Sequence, residues 1–256
     1  MLVKTLVCAT HLNTEVLNLQ TPTQYIGIHV KTSGIGTTLD AILPKLAESS
    51  LKLSLQSSGS VFEVMHRLNL HELADIIAQT ESNVRFTVVD VATKKTDVYL
   101  FIPVSAFGAL SLDADTLLRC EFEYKCESPE GTDQNITFDV YSISSIIRSD
   151  SFHTYIKMTV VGAGTVTRDV TAYSKMFIQK ATLDTLKLKT ASGETVTVNK
   201  TELQMMEAAT GNINYMLTTP TMTSLQDAAG IVGLDITAIQ EVEITTTDSA
   251  TVYYIK

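Results

Sequence analysis

Leu51-Lys52-Leu53-Ser54-Leu55, Ser57-Ser58-Gly59, Val61-Phe62-Glu63-Val64 and Asn69-Leu70-His71-Glu72-Leu73 make up a module that the chain carries twice. The second copy reads Leu186-Lys187-Leu188-Lys189, Ala191-Ser192-Gly193, Val196-Thr197-Val198 and Asn199-Lys200-Thr201-Glu202-Leu203. Leucine alternating with lysine or serine at period two puts one side of a strand on a core and the other in water. Ser-Gly between two such runs supplies the positive φ that a hairpin turn needs, which singles out Gly59 and Gly193. Asn69 with Glu72, and Asn199 with Glu202, have the spacing of a helix N-cap and its reciprocal acid. Each copy therefore predicts strand, turn, strand and capped helix.

The flanks extend the repeat. Tyr25 to Val30, followed by Gly34, resembles Tyr155 to Val160, followed by Gly164, and the two are 130 positions apart. Asn69 and Asn199 have the same separation, whereas Gly59 and Gly193 are 134 apart. Further on, Val98 to Pro103 resembles Asn214 to Pro220, and Leu117 to Tyr124 resembles Ile239 to Thr246. A period this long marks a duplicated domain, since solenoid repeats run to roughly 20–50 residues. Glu127 to Asp133 is the most loop-like composition in the chain, so the expected domains are 1–128 and 129–256, with Ile136 to Tyr141 opening the second. Asp40 to Glu48 reads as one helical turn that Pro44 breaks. Many short strands, one main helix per half and no βαβ rhythm predict a mainly β chain of two tandem β-sandwiches. Periodicity leaves open whether these are jelly rolls or immunoglobulin-like sandwiches.

Bulk composition narrows the function. The 256 residues are 45% hydrophobic and 18% charged, the balance of a folded chain. The net charge of −9 divides as −4 over residues 1–128 and −5 over 129–256, with no basic arm, which argues against direct nucleic-acid binding. The 3 cysteines, Cys8, Cys120 and Cys126, are odd in number. A disulfide framework is therefore not expected; Cys120 and Cys126 would lie about 20 Å apart along one strand, too far to bridge, and read as small buried hydrophobes. The N-terminus has no signal-peptide core, and no apolar run of about 18 residues predicts a membrane-spanning helix.

With these elements in place, the chain resembles the double jelly-roll major capsid proteins of tailless, internal-membrane icosahedral bacteriophages, the corticovirus type. The resemblance rests on the Tyr25 to Gly34 strand and loop, the Leu51 to Ala78 module, the apolar strand ending at Pro103 and the acidic alternation from Leu117 to Tyr124. It implies jelly rolls rather than immunoglobulin-like sandwiches. It also implies a structural virion protein, made in the host cytoplasm and built into the capsid. Its partners would be itself, as a homotrimer and in neighbouring pseudo-hexameric capsomers, together with penton and minor membrane-associated capsid proteins. No direct contact with nucleic acid and no membrane insertion are expected.

The residues offer little to rival chemistries. His66 and His71 are five apart, not the four that place two ligands on one helix face. Asp113 and Asp115 fall short of the 6–8 oxygens a calcium ion takes. Gly34-Ile35-Gly36 and Gly162-Ala163-Gly164 lack the third glycine of a dinucleotide loop. No enzyme, metal or cofactor is therefore expected. The competing class is a tandem β-sandwich binding module, such as a phage appendage or carbohydrate-binding protein. The absence of Trp, with 7% aromatic residues, counts against a sugar platform. A cupin-like enzyme would need a His and acid cluster that the sequence does not display.

Overall fold

The computed structural model describes residues 1–8, 11–80, 84–105, 107–125, 135–160, 162–203, 205, 215–217 and 231–256. Among these, the first elements are β1 (Leu2–Val7), β2 (Asn13–Leu19), β3 (Tyr25–Ser33), α1 (Leu39–Leu46), β4 (Ser50–Ser57), β5 (Ser60–Asn69) and α2 (Leu70–Ala78). They are followed by β6 (Val84–Asp90), β7 (Lys95–Pro103), β8 (Ala109–Leu110), β9 (Thr116–Tyr124), β10 (Asn135–Ile143) and β11 (Arg148–Ser149). The rest are β12 (Tyr155–Val160), β13 (Gly164–Asp169), β14 (Lys175–Gln179), β15 (Leu183–Thr190), β16 (Thr195–Asn199), β17 (Tyr215–Leu217), β18 (Ile231–Asp235), β19 (Ile239–Thr246) and β20 (Ala250–Ile255). The chain divides into two compact units, Met1–His153 with Asn214–Ala228, and Thr154–Ile213 with Ala229–Lys256.

In the first unit one layer runs β1-β10-β3-β7-β6 and the other β5-β4-β9-β2. Every one of these pairings is antiparallel. With β1, β2, β3, β4, β5, β7, β9 and β10 counted from one to eight, the layers read 1-8-3-6 and 2-7-4-5. That interleaving of two Greek keys is the jelly-roll order. β6 adds an edge beyond β7, and β17 pairs in parallel with β6. In the second unit β12-β20-β14-β18 and β13-β19-β15-β16 give the same two orders, again antiparallel throughout. The fold is thus mainly β, of the jelly-roll sandwich type.

Alternation builds the cores. Ile26, Ile28 and Val30 of β3 and Val98, Leu100 and Ile102 of β7 point inward, opposite Leu51, Leu53, Leu118 and Phe122 of the other layer. Phe122 of β9 meets Phe138 of β10 at 5.2 Å between ring centroids, joining the two layers. In the second unit Met176, Ile178, Leu186, Val198, Val242, Ile244, Val252 and Tyr254 form one buried cluster. α1 buries Leu39, Ile42, Leu43 and Leu46, a one-sided stripe at helical spacing. That burial sustains eight helical residues with Pro44 inside, rather than the single broken turn expected.

The structure revises three expectations. β10, expected to open the second half, is the eighth strand of the first unit, bonded to β1 on one side and β3 on the other. The units therefore divide at 153/154 instead of 128/129. Composition alone does not tell a linker from a connection within one unit; strand pairing does, and the Glu127 to Asp133 stretch itself lies outside the described residues. Next, β3 is the third strand of its unit while β12 is the first of its own, so the likeness of Tyr25–Val30 to Tyr155–Val160 joins non-equivalent strands. Period-two apolar strands ahead of a glycine look alike wherever they sit. Finally, Cys8 is disulfide-bonded, against the expectation of no disulfide from an odd cysteine count. The expected likeness of Asn214–Pro220 to β7 falls mostly outside the described residues; topologically β7 corresponds to β18. β9 and β19 are both seventh strands, as their sequences suggest.

Candidate functional site

The six positions singled out in the sequence form one set in each unit. In the first, Ser58 (φ 40°) and Gly59 (φ 88°) are the two loop residues between β4 and β5, the double positive φ of a type I′ hairpin. Asn69 Oδ1 accepts the Glu72 amide at 2.8 Å, and Glu72 Oε2 accepts the Asn69 amide at 2.9 Å. In the second, Gly193 (φ 87°) lies in a longer turn closed by the Thr190 amide donating to the Glu194 carbonyl at 2.9 Å. Asn199 Oδ1 accepts the Glu202 amide at 3.0 Å, and Glu202 Oε2 accepts the Asn199 amide at 2.8 Å, ahead of helical residues 200–203. β5 has ten residues and β16 five, which is why the glycines are not in register while the caps are. These groups shape hairpins and helix starts; they bring no reactive side chains together. Among the described residues no three His, Cys, Asp or Glu gather as a metal site. Asp113 and Asp115 form a local turn in which Asp113 Oδ1 accepts the Asp115 amide at 3.2 Å.

A different set converges on the outer face of β1, β10, β3 and β7. Because Ile26, Ile28 and Val30 face the core, Tyr25, Gly27, His29 and Lys31 face outward. The register puts Asp139 and Tyr99 on either side of His29, and Tyr141 and Phe101 on either side of Gly27. Lys31 Nζ lies 2.5 Å from Asp139 Oδ2, and Thr5 Oγ1 donates to Asp139 Oδ1 at 2.6 Å. Burial alone would raise the Asp139 pKa, but the Lys31 ammonium and Thr5 hydroxyl outweigh it and hold the carboxyl below its ordinary value. The hydrogen bond to Asp139, set against partial desolvation, holds Lys31 above its own. His29 stacks on Tyr99 at 4.2 Å and 13°. Its Nε2 is buried without a hydrogen bond, although Asp97 Oδ2 lies 3.3 Å away; that contact is close but not directed. Burial first, then the charge of Asp97, raises the Tyr99 pKa, and the Tyr99 hydroxyl reaches Asp97 at 3.4 Å.

Beside this cluster, around Gly27, lies a cavity of about 220 Å³, walled by His29, Tyr99, Phe101, Tyr141 and Ile143. Just beyond Ile143 the chain forms an apolar tip. Ile146 is 97% exposed, Ile147 62%, and Phe107, from the loop after β7, 78%. The tip is fixed by backbone. β8 and β11 pair in parallel, the Ala109 amide donates to the Ile147 carbonyl at 2.8 Å, and the Ser111 amide to the Ser149 carbonyl at 2.8 Å. Gly108 (φ 69°) permits this: a Cβ there would stand 2.5 Å from the Ile147 oxygen. Sequence reading missed the whole face, because cross-strand register decides which outward residues meet. The available signal was the outward alternation of β3 and β7, including the glycine at 27 among aromatics.

No family model matches the chain, and no curated protein matches it in sequence. Its fold is similar to that of the major capsid protein P2 from Bacteriophage PM2, with 11% identity, a TM-score of 0.50, and coverage of 98% of this chain and 96% of that one. HutD from Pseudomonas fluorescens SBW25 aligns at 6% identity and a TM-score of 0.19 over 96% of this chain and 78% of that one. A cupin 2 conserved barrel domain protein from Leptotrichia buccalis aligns at 8% identity and 0.21 over 98% and 87%. Neither of the last two bears on function at such scores. What the comparisons establish is a fold, shared nearly end to end with the P2 capsid protein.

Proposed function

We propose that this chain is a viral coat protein of the double jelly-roll kind. It would assemble as a homotrimer into pseudo-hexameric capsomers of an icosahedral shell over an internal membrane. The observation that carries this reading is the fold likeness to a phage major capsid protein across nearly the full length of both chains. The strand orders support it, since two units of the same jelly-roll order give a trimer six similar lobes for a lattice position with six neighbours. The net charge of −9 suits a shell that does not touch the genome itself. Among the described residues no helix is long and apolar enough to cross a membrane. On this reading the role is structural, without catalysis, in the virion, after synthesis in the host cytoplasm. Its contacts are with its own copies and with penton and minor membrane-associated proteins. Negative-stain imaging of the purified protein tests it: particles with three-fold symmetry and six lobes are expected, and fields of isolated two-lobed or smaller particles would overturn it.

A further inference from the structure

We propose that the Gly27 cavity and the Ile146–Ile147–Arg148 tip of the first unit are the two halves of one reciprocal contact between copies of this chain. Building on the coat-protein reading, this contact would link one capsomer to the next across a two-fold axis. Three observations carry it. The tip is a preformed knob: Ile146 is 97% exposed, and the residues that follow it are held by the β8–β11 pairing and the close approach of Gly108 to Ile147. A knob ordered before binding loses little conformational freedom when it docks. The cavity offers a hole for it, apolar in its walls and about 220 Å³ in volume.

The charges at the two places are complementary. Arg148, exposed on the knob, is held by the Ser144 hydroxyl and the Ser145 carbonyl, with no carboxylate beside it among the described residues. Asp97, beside the hole, has only His29 within ion-pair distance among the described residues, since Lys31 is taken by Asp139. A second copy that seats Ile146 against Tyr141 and Phe101 would bring its Arg148 toward Asp97. Ile143, a wall of the hole, is three residues before Ile146 in the chain. Knob and hole are therefore neighbours, and a two-fold axis lets each copy fill the other at once, as an isologous contact requires. A head-to-tail ring does not need that adjacency, which is why the contact is assigned between capsomers rather than within one.

Sedimentation velocity across a concentration series tests this on the full chain. Ile146→Asp and Arg148→Glu, both at exposed positions, should leave the smallest stable species unchanged and weaken its further association about tenfold or more. Adding Asp97→Arg to Arg148→Glu should restore association. A photo-crosslinking amino acid at position 146 should capture peptides containing Tyr141 or Phe101 of a second copy. Association of the variants equal to wild type, capture elsewhere, or no association beyond the smallest species in wild type would each overturn the contact. If that species is a trimer in every case, the coat-protein reading survives the loss of this contact. If instead the wild type is a monomer that pairs through this contact, the contact stands and the trimer falls.

Discussion

Asn69 and Asn199, 130 residues apart in the sequence, hold the same place in two jelly rolls: each ends the fifth strand and caps the helix that follows. Asn69 lies in a partly buried setting and Asn199 in an exposed one. Replacing Asn69 with Ala should therefore cost about 0.5–2 kcal/mol, and Asn199→Ala should fall at the low end of that range. Urea denaturation of both variants measures it. Equal losses near zero would show that neither cap contributes.

Gly108 and Gly59 both have positive φ but different surroundings. At Gly59 nothing lies within 4 Å of an added Cβ, whereas at Gly108 the Ile147 carbonyl oxygen is 2.5 Å away. Gly59→Ala should cost about 1 kcal/mol from backbone strain alone. Gly108→Ala should cost clearly more and should loosen the tip, read as faster amide exchange at Ala109 and Ser111. A Gly108→Ala variant as stable as Gly59→Ala would contradict the close packing.

How much of this was legible in the sequence follows from the range of each signal. The hairpin glycines and caps are local, set within four residues, and could be read directly. The duplication was legible from the caps and from the seventh strands, β9 and β19. The domain division was not, because β10 looks like any alternating strand and its membership depends on β1 and β3, more than 100 residues upstream. The outer face was hidden for the same reason: nothing near Gly27 in sequence says that Tyr141 and Phe101 will flank it. The Cys8 disulfide likewise joins positions that in-strand spacing does not consider.

The Asp139–Lys31 pair predicts a pH dependence with a definite sign. Asp139 has a folded pKa below its ordinary value, so its stabilisation is present above the unfolded carboxylate range and is lost as pH falls through the folded value. Lys31 has a raised pKa, so its contribution is present below the ordinary 10.5 and is lost as pH rises through the folded value. Asp139→Asn should flatten the acid limb of the stability profile, measured by thermal melts from neutral pH down to below the ordinary carboxylate value of 3.8. An unchanged slope would mean that Asp139 contributes nothing to that limb.

Cys120 is fully enclosed in the core and free, and burial pushes its thiol up to about 12. Iodoacetamide at mildly alkaline pH should leave it unmodified in the native protein and alkylate it in denaturant. Rapid native labelling would mean that β9 is not enclosed as a strand between β2 and β4.

The proposed coat-protein role depends on this chain forming a trimer, and the mass of the purified protein in solution decides that. Light scattering coupled to size exclusion should give three times the 27.9 kDa chain mass as the smallest stable species at micromolar concentration. A single species at the mass of one chain, unchanged across salt and pH, would contradict it.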